Sequence, residues 1–142
     1  MKAKACKILF VALCVLINVG CTHNNGNIGP LFGLWHVTSI KVDGTVDEKY
    51  DGCLYFAFQS SVFSLTHVDE EAHEQQISYA SWSYQGKDVL LEFSESHYSP
   101  LRGYGFEKGL NLMKIESDKG DEMVFSLVNS DDIKYEYAVE KW

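Results

Sequence analysis

The feature that most constrains this chain is a period of two that restarts every few residues. From Gly33 onward, runs rich in Val, Ile, Phe, Tyr, Trp and Thr are separated by turn residues. Eight strands are predicted: Gly33–Val42, Cys53–Phe58, Val62–His67, Gln76–Gln85, Asp88–Ser94, Leu110–Glu116, Glu122–Val128 and Lys134–Lys141. Val89, Leu91 and Phe93 share a face, with Glu92 on the other. Tyr135, Tyr137 and Val139 oppose Lys134, Glu136 and Glu140, and Leu110 and Leu112 stand against Asn111. Such alternation marks strands with one buried face. Asp43-Gly44, Gln85-Gly86-Lys87, Asp118-Lys119-Gly120-Asp121 and Asn129-Ser130-Asp131-Asp132 supply the turns. After Gly33 no helical stripe persists over ten residues, and acidic Asp69–Glu74 reads as a solvated loop.

Sequential strands with short connections imply an all-β, antiparallel, up-and-down sheet. Left open, it would expose two long edges; closure into an eight-stranded barrel over residues 31–142 removes them. A barrel this small is either filled by its own side chains or holds one small ligand. The longest irregular stretch, Glu95–Lys108, carries Pro100, Gly103 and Gly105. Long loops in compact domains are often lids or rims. Tyr98, Arg102 and Tyr104 make this one a candidate gate or partner contact, against the simpler alternative of an ordered connection.

The N-terminus is an address. Lys2, Lys4 and Lys7 precede an uncharged run from Ile8 to Val19, then Gly20-Cys21. A basic start, a short apolar run and a small residue before the cut describe a signal peptide, residues 1–20. The run is shorter than a membrane-spanning helix requires. Leu16-Ile17-Asn18-Val19-Gly20-Cys21 resembles a bacterial lipobox, although Asn18 stands where an aliphatic residue is usual. The resemblance implies lipid on Cys21 and attachment to a membrane of the cell envelope. Residues 21–30, polar and rich in Asn and Gly, are expected to form a flexible tether. No acidic cluster follows Cys21; in the lipoproteins such chains resemble, that stretch helps direct export to the surface, so an outer-membrane position facing the periplasm is expected.

Charge narrows the partners. The full chain has 12 Lys+Arg against 20 Asp+Glu; loss of the three signal lysines takes the formal charge from −8 to −11. That balance argues against a nucleic-acid footprint, and gives no electrostatic attraction to anionic lipid surfaces. Of four cysteines, Cys53 alone would remain unmodified after cleavage, which excludes an intrachain disulfide. Beside Leu54-Tyr55-Phe56 it reads as a buried, inert thiol.

Signs of catalysis are sparse. His23, His36, His67, His73 and His97 occupy separate segments without H-x-H or H-E-x-x-H spacing. His67 and His73 flank Asp69, Glu70 and Glu71, but a solvated loop explains them better than a metal site. There is no phosphate-cradling Gly-rich loop and no G-x-S-x-G elbow. No enzyme, metal or cofactor is expected. Binding has more support. On Ser78–Tyr84 one face shows Ala80, Trp82 and Tyr84, the other Tyr79, Ser81 and Ser83. With the first face inward, Trp82 and Tyr84 line a cavity or simply fill a small core.

Gly33-Leu34-Trp35, opening the first strand just after a Gly29-Pro30 turn, resembles the G-x-W motif of the lipocalins and related calycin barrels. The resemblance implies that Trp35 enters the closed end and that a late basic residue, here Lys141 in place of the usual Arg, packs over it. The family's cysteine pair and C-terminal helix are absent. The chain is more similar to small lipocalin-like lipoproteins of Bacteroides-type bacteria, over Leu31 to Trp142. This implies a lipocalin-like barrel without an established ligand. The expected function is binding of a small apolar or amphipathic ligand in the barrel or at its mouth. The alternative is a side-chain-filled barrel that contacts another envelope protein.

Overall fold

The computed structural model describes residues 29–94 and 103–142. The signal peptide, Cys21, most of the tether, Tyr98 and Arg102 lie outside the described residues. Nine strands form: β1 (Gly33–Val42), β2 (Thr45–Val46), β3 (Leu54–Gln59), β4 (Val62–Asp69), β5 (Glu74–Gln85), β6 (Asp88–Phe93), β7 (Gly109–Asp118), β8 (Glu122–Val128) and β9 (Lys134–Lys141). From β3 to β9 each strand pairs antiparallel with the next; β1 pairs with β3 on one side and β9 on the other. The sheet therefore closes into an eight-stranded up-and-down barrel, with β2 as a short flap on β1.

The two-residue β2 is too short to show a period, and the sequence reading missed it. It exists because Asp43 and Gly44 both take positive φ, 49° and 82°. That is the geometry of a two-residue hairpin whose twist matches its strands. The expected Asp69–Glu74 loop is an exposed turn, Glu70–His73, with only its two end residues drawn into β4 and β5. Asp69 and Glu74 are register partners, and the Asp69 carboxylate accepts the N–H groups of Glu71 and Ala72 to close a tight turn between them.

Up-and-down connectivity sorts the turns to two ends. Gly29–Trp35 and the β3–β4, β5–β6 and β7–β8 turns lie at one end. Residues 47–53, 70–73, 103–108 and 129–133 lie at the other. The first end is closed by Leu31, Trp35, Phe58 and Trp82. The Trp35 indole donates to the Leu31 carbonyl at 2.8 Å, and Phe58 and Trp82 pack edge to face at 5.2 Å. Aromatic rings bridge the middle of the lumen. Phe56 on β3 meets Phe125 on β8 at 6.3 Å and Tyr137 on β9 at 5.4 Å, and Phe58 meets Phe125 at 6.2 Å. These residues are buried, and their spacing is that of packed ring pairs. The lower and middle lumen is thus core rather than cavity.

Two orientations differ from the sequence reading. On β7 the face turned inward is that of Asn111, 5% exposed, while Leu110 is 66% exposed. Alternation defines two faces without saying which is buried; here the Asn111 amide has partners inside and the leucines are left outside. Cys53 is half-exposed and lies just before β3, not in the core. Burial, followed by the nearby Asp51, Glu70 and Asp69 charges, raises its thiol pKa, so it is a poor nucleophile.

Candidate functional site at the open end of the barrel

The segment from Gly103 to Lys108 turns into the open end and plugs it. Phe106 is fully buried, stacked on Tyr137 at 5.3 Å and packed against Phe56, Phe93 and Phe63 at 5.7, 5.8 and 6.2 Å. Gly105 takes φ 91°, and a Cβ there would stand 2.5 Å from the Tyr135 ring, so only glycine lets the backbone lie this close. Asn111 holds the segment from below. Its side-chain oxygen accepts the Glu107 N–H at 2.9 Å, and its amide donates to the Glu107 carbonyl at 2.7 Å and the Gly109 carbonyl at 3.2 Å. The Tyr137 hydroxyl donates to the Tyr104 carbonyl, and the Glu107 carboxylate accepts from Ser130. A segment without strand pairing is thereby given partners for its polar groups.

Around the plug runs a rim of polar-tipped rings. Tyr104 lies 5.7 Å from the His67 ring and 6.4 Å from Tyr50. The Tyr50 hydroxyl donates to the Val37 carbonyl at 2.6 Å and accepts the Leu54 N–H at 2.9 Å, which ties residues 47–53 to the barrel. His67 continues the inward row of Phe63 and Leu65 on β4, and its Nε2 meets Asp51 at 2.7 Å. Burial raises the Asp51 pKa, but the His67 bond and charge and the Cys53 N–H outweigh it, leaving the net value lowered. Burial, then the charges of Asp51, Cys53 and Asp47, pushes the Tyr104 phenol up to about 12, so it stays a neutral donor at physiological pH. Beneath the rim, Ser78 is 1% exposed and its hydroxyl has no hydrogen-bond partner among the described residues; the Trp82 indole N–H at the closed end is the other such group. It sits opposite Leu65 on β5, one inward step nearer the mouth than Ala80. A buried polar group without a partner is costly, by about 1–3 kcal/mol, and points to an unfilled requirement at that position.

The structure divides the sequence-derived candidates between the two ends. Tyr104 is at the mouth. Trp82 and Tyr84 share the inward face with Ala80, but at the closed end. Trp82 packs on Phe58, and the Tyr84 hydroxyl lies so near Gly29 that an added methyl there would approach to 3.2 Å. Gly33, Trp35 and Lys141 come together: Lys141 Nζ stands 5.2 Å from the Trp35 ring centre, its stem against Gly33. Lysine there acts as a point charge on a ring face. His67 and Asn111 were not singled out for the site. The signal was present, since each extends an inward alternation, Phe63–Leu65–His67 and Asn111–Met113. Among the described residues no three His, Cys, Asp or Glu side chains converge in a way that could hold a metal ion, and no helix is long and apolar enough to cross a membrane.

Comparison with known proteins agrees with this architecture. A family model described as a lipocalin-like domain matches residues 13–138. The fold is similar to the crystal structure of a lipocalin-like protein from Bacteroides uniformis ATCC 8492, with TM-score 0.63 and 18% identity over 80% of this chain and 100% of that one. It is also similar to an uncharacterized protein from Bacteroides eggerthii DSM 20697, with TM-score 0.56 and 16% identity over 79% of this chain and 99% of that one. No curated protein matches. With its closed barrel and a family match over most of its length, the chain belongs to the lipocalin-like domain family.

Proposed function

We propose that this protein is a membrane-anchored lipoprotein of the cell envelope, attached through lipid on Cys21 and facing the periplasm, that binds a small amphipathic ligand at the open end of its barrel. The observation that carries the reading is the mouth: the buried, unpartnered Ser78 hydroxyl beneath a ring of Tyr50, His67 and Tyr104. The rings suit an apolar body, and the hydroxyl and phenols suit a polar head. The packed lumen below restricts the ligand to the mouth, where the Tyr104–Phe106 segment is the part that must give way. The role is binding rather than catalysis, with no cofactor and no nucleic acid partner. Native mass spectrometry of protein purified from its own type of host tests this. A mass excess that disappears on denaturation is expected. A bare mass, together with an unchanged melting midpoint in decanoate and in 1-anilinonaphthalene-8-sulfonate, would overturn it.

A second reading, docking of an envelope protein on a filled barrel, is favoured by the outer wall. Leu110 and Leu112 on β7 and Val128 on β8 all face solvent, and Leu90 on β6 stands opposite Leu112. If this face is the functional one, Leu110→Asp abolishes cross-linking to a partner in intact envelopes while leaving the mouth untouched.

A further inference from the structure

We infer that the outer wall of β1 and β3 beneath the end of β9, centred on Trp142, is a seat for the bilayer that carries the protein's anchor. Trp142 is 73% exposed, yet it is ordered: its N–H donates to the Leu34 carbonyl at 2.9 Å, and its ring packs edge-on against His36 and Tyr55 at 5.5 Å each. His36 in turn stacks on Tyr55 at 5.0 Å and bonds the Gly52 carbonyl at 2.6 Å, so the platform runs up the outer wall from the closed end to the segment 47–53. Leu34 and Phe32, 39% and 41% exposed, lie at the same end. A large indole held outward over two other rings has an apolar body and a polar N–H, the combination that suits a membrane–water interface.

Two observations select the bilayer as the occupant. The first is where the described chain begins. Gly29 lies at the closed end, and seven residues separate it from Cys21, eight Cα–Cα steps with a covalent reach of at most about 28 Å. A lipid on Cys21 therefore attaches the domain from this end. The second is charge. The turns at the open end carry Asp43, Asp47, Glu48, Asp51, Glu70, Glu71, Glu107, Asp131 and Asp132 against Lys49 and Lys108. At the closed end the β3–β4 turn is uncharged, the β5–β6 turn carries Lys87, and the β7–β8 turn sets Lys119 against Asp121. An anionic membrane repels the acidic mouth more than the closed end, which leaves the side wall and the closed end as the surface that meets it. The seat is apolar rather than electrostatic and adds orientation to an attachment that the lipid supplies. This inference rests on the lipoprotein reading of Cys21.

The test uses the full mature protein, extracted from membranes and reconstituted into phosphatidylethanolamine–phosphatidylglycerol vesicles whose acyl chains are brominated near the headgroup. Of the three tryptophans, Trp35 is fully buried, while Trp82 is only partly buried at the closed end, so all samples carry Trp82→Phe and shallow bromines have Trp142 to quench. Quenching is expected, with loss of that quenching in Trp142→Phe and weakening in Leu34→Ser. The intact mass of the same sample reads the lipid on Cys21. An acylated protein whose fluorescence bromine leaves unchanged overturns the seat and leaves the anchor standing. An unacylated protein overturns both. Quenching that persists in Trp142→Phe places another part of the domain at the bilayer and also overturns the seat.

Discussion

Replacing Phe106 with alanine probes the plug directly. The ring is fully buried, so its transfer from water contributes about 1.5–3 kcal/mol. Its neighbours Phe56, Phe63, Phe93 and Tyr137 come from β3, β4, β6 and β9, and the closed hydrogen-bonded wall keeps those strands from collapsing into the gap. The cost should therefore include a cavity contribution and reach about 4 kcal/mol, within the usual range for Phe→Ala in a core. With a urea slope of about 1.5 kcal/mol/M, the midpoint falls by about 2–3 M at unchanged slope. Tryptophan fluorescence in equilibrium urea titrations reads this, because Trp35 and Trp82 are packed in the barrel. The vacated space is apolar, so benzene should bind there and raise the variant's midpoint without affecting the wild type. A midpoint shift below about 0.5 M would refute the reasoning, since a ring that leaves so cheaply is not part of the core.

Asn111→Ala should cost about 2–3 kcal/mol by leaving the Glu107 N–H unpaired, and its effect should be less than additive with Phe106→Ala in urea titrations, because both release the same segment. Gly105→Ala should lower the thermal midpoint more than Gly103→Ala, since only at Gly105 do positive φ and the Tyr135 ring both exclude a Cβ. Asp51 has a folded pKa below its unfolded one, so its contribution is fully present above about pH 4 and is lost as pH falls through the lowered folded value. The urea midpoint of wild type should accordingly exceed that of Asp51→Asn at pH 6 and converge with it in strong acid; an equal gap at both would contradict this. Cys21→Ser should shift the protein out of the membrane fraction, and unchanged fractionation would contradict lipid anchoring.

Much of the barrel was legible because strand periodicity and turn chemistry are local properties. Asp88–Phe93 and Lys134–Lys141 alternate in ways that only one buried face explains, and the turns around them name themselves through Gly, Asn and Asp. The Gly33-Leu34-Trp35 strand was also legible, and so were the two faces of Ser78–Tyr84, though not which of them turns inward. Tertiary structure decided what local pattern leaves open. Leu110 and Leu112 looked like the buried face of β7, but the amide of Asn111 was needed inside to satisfy the plug, and hydrogen bonding overrode hydrophobicity there. Trp82, Tyr84 and Tyr104 looked equivalent as aromatic candidates, yet the direction in which each strand runs through the barrel puts the first two at the closed end and the third at the mouth. The same closure brings His67 and Asp51 together across the rim and carries Lys141 back over Trp35. Sequence thus determined the strands and their two faces, because a two-residue repeat is written in neighbouring side chains. Which face turned inward, and which end each ring occupied, depended on contacts between strands distant in the chain.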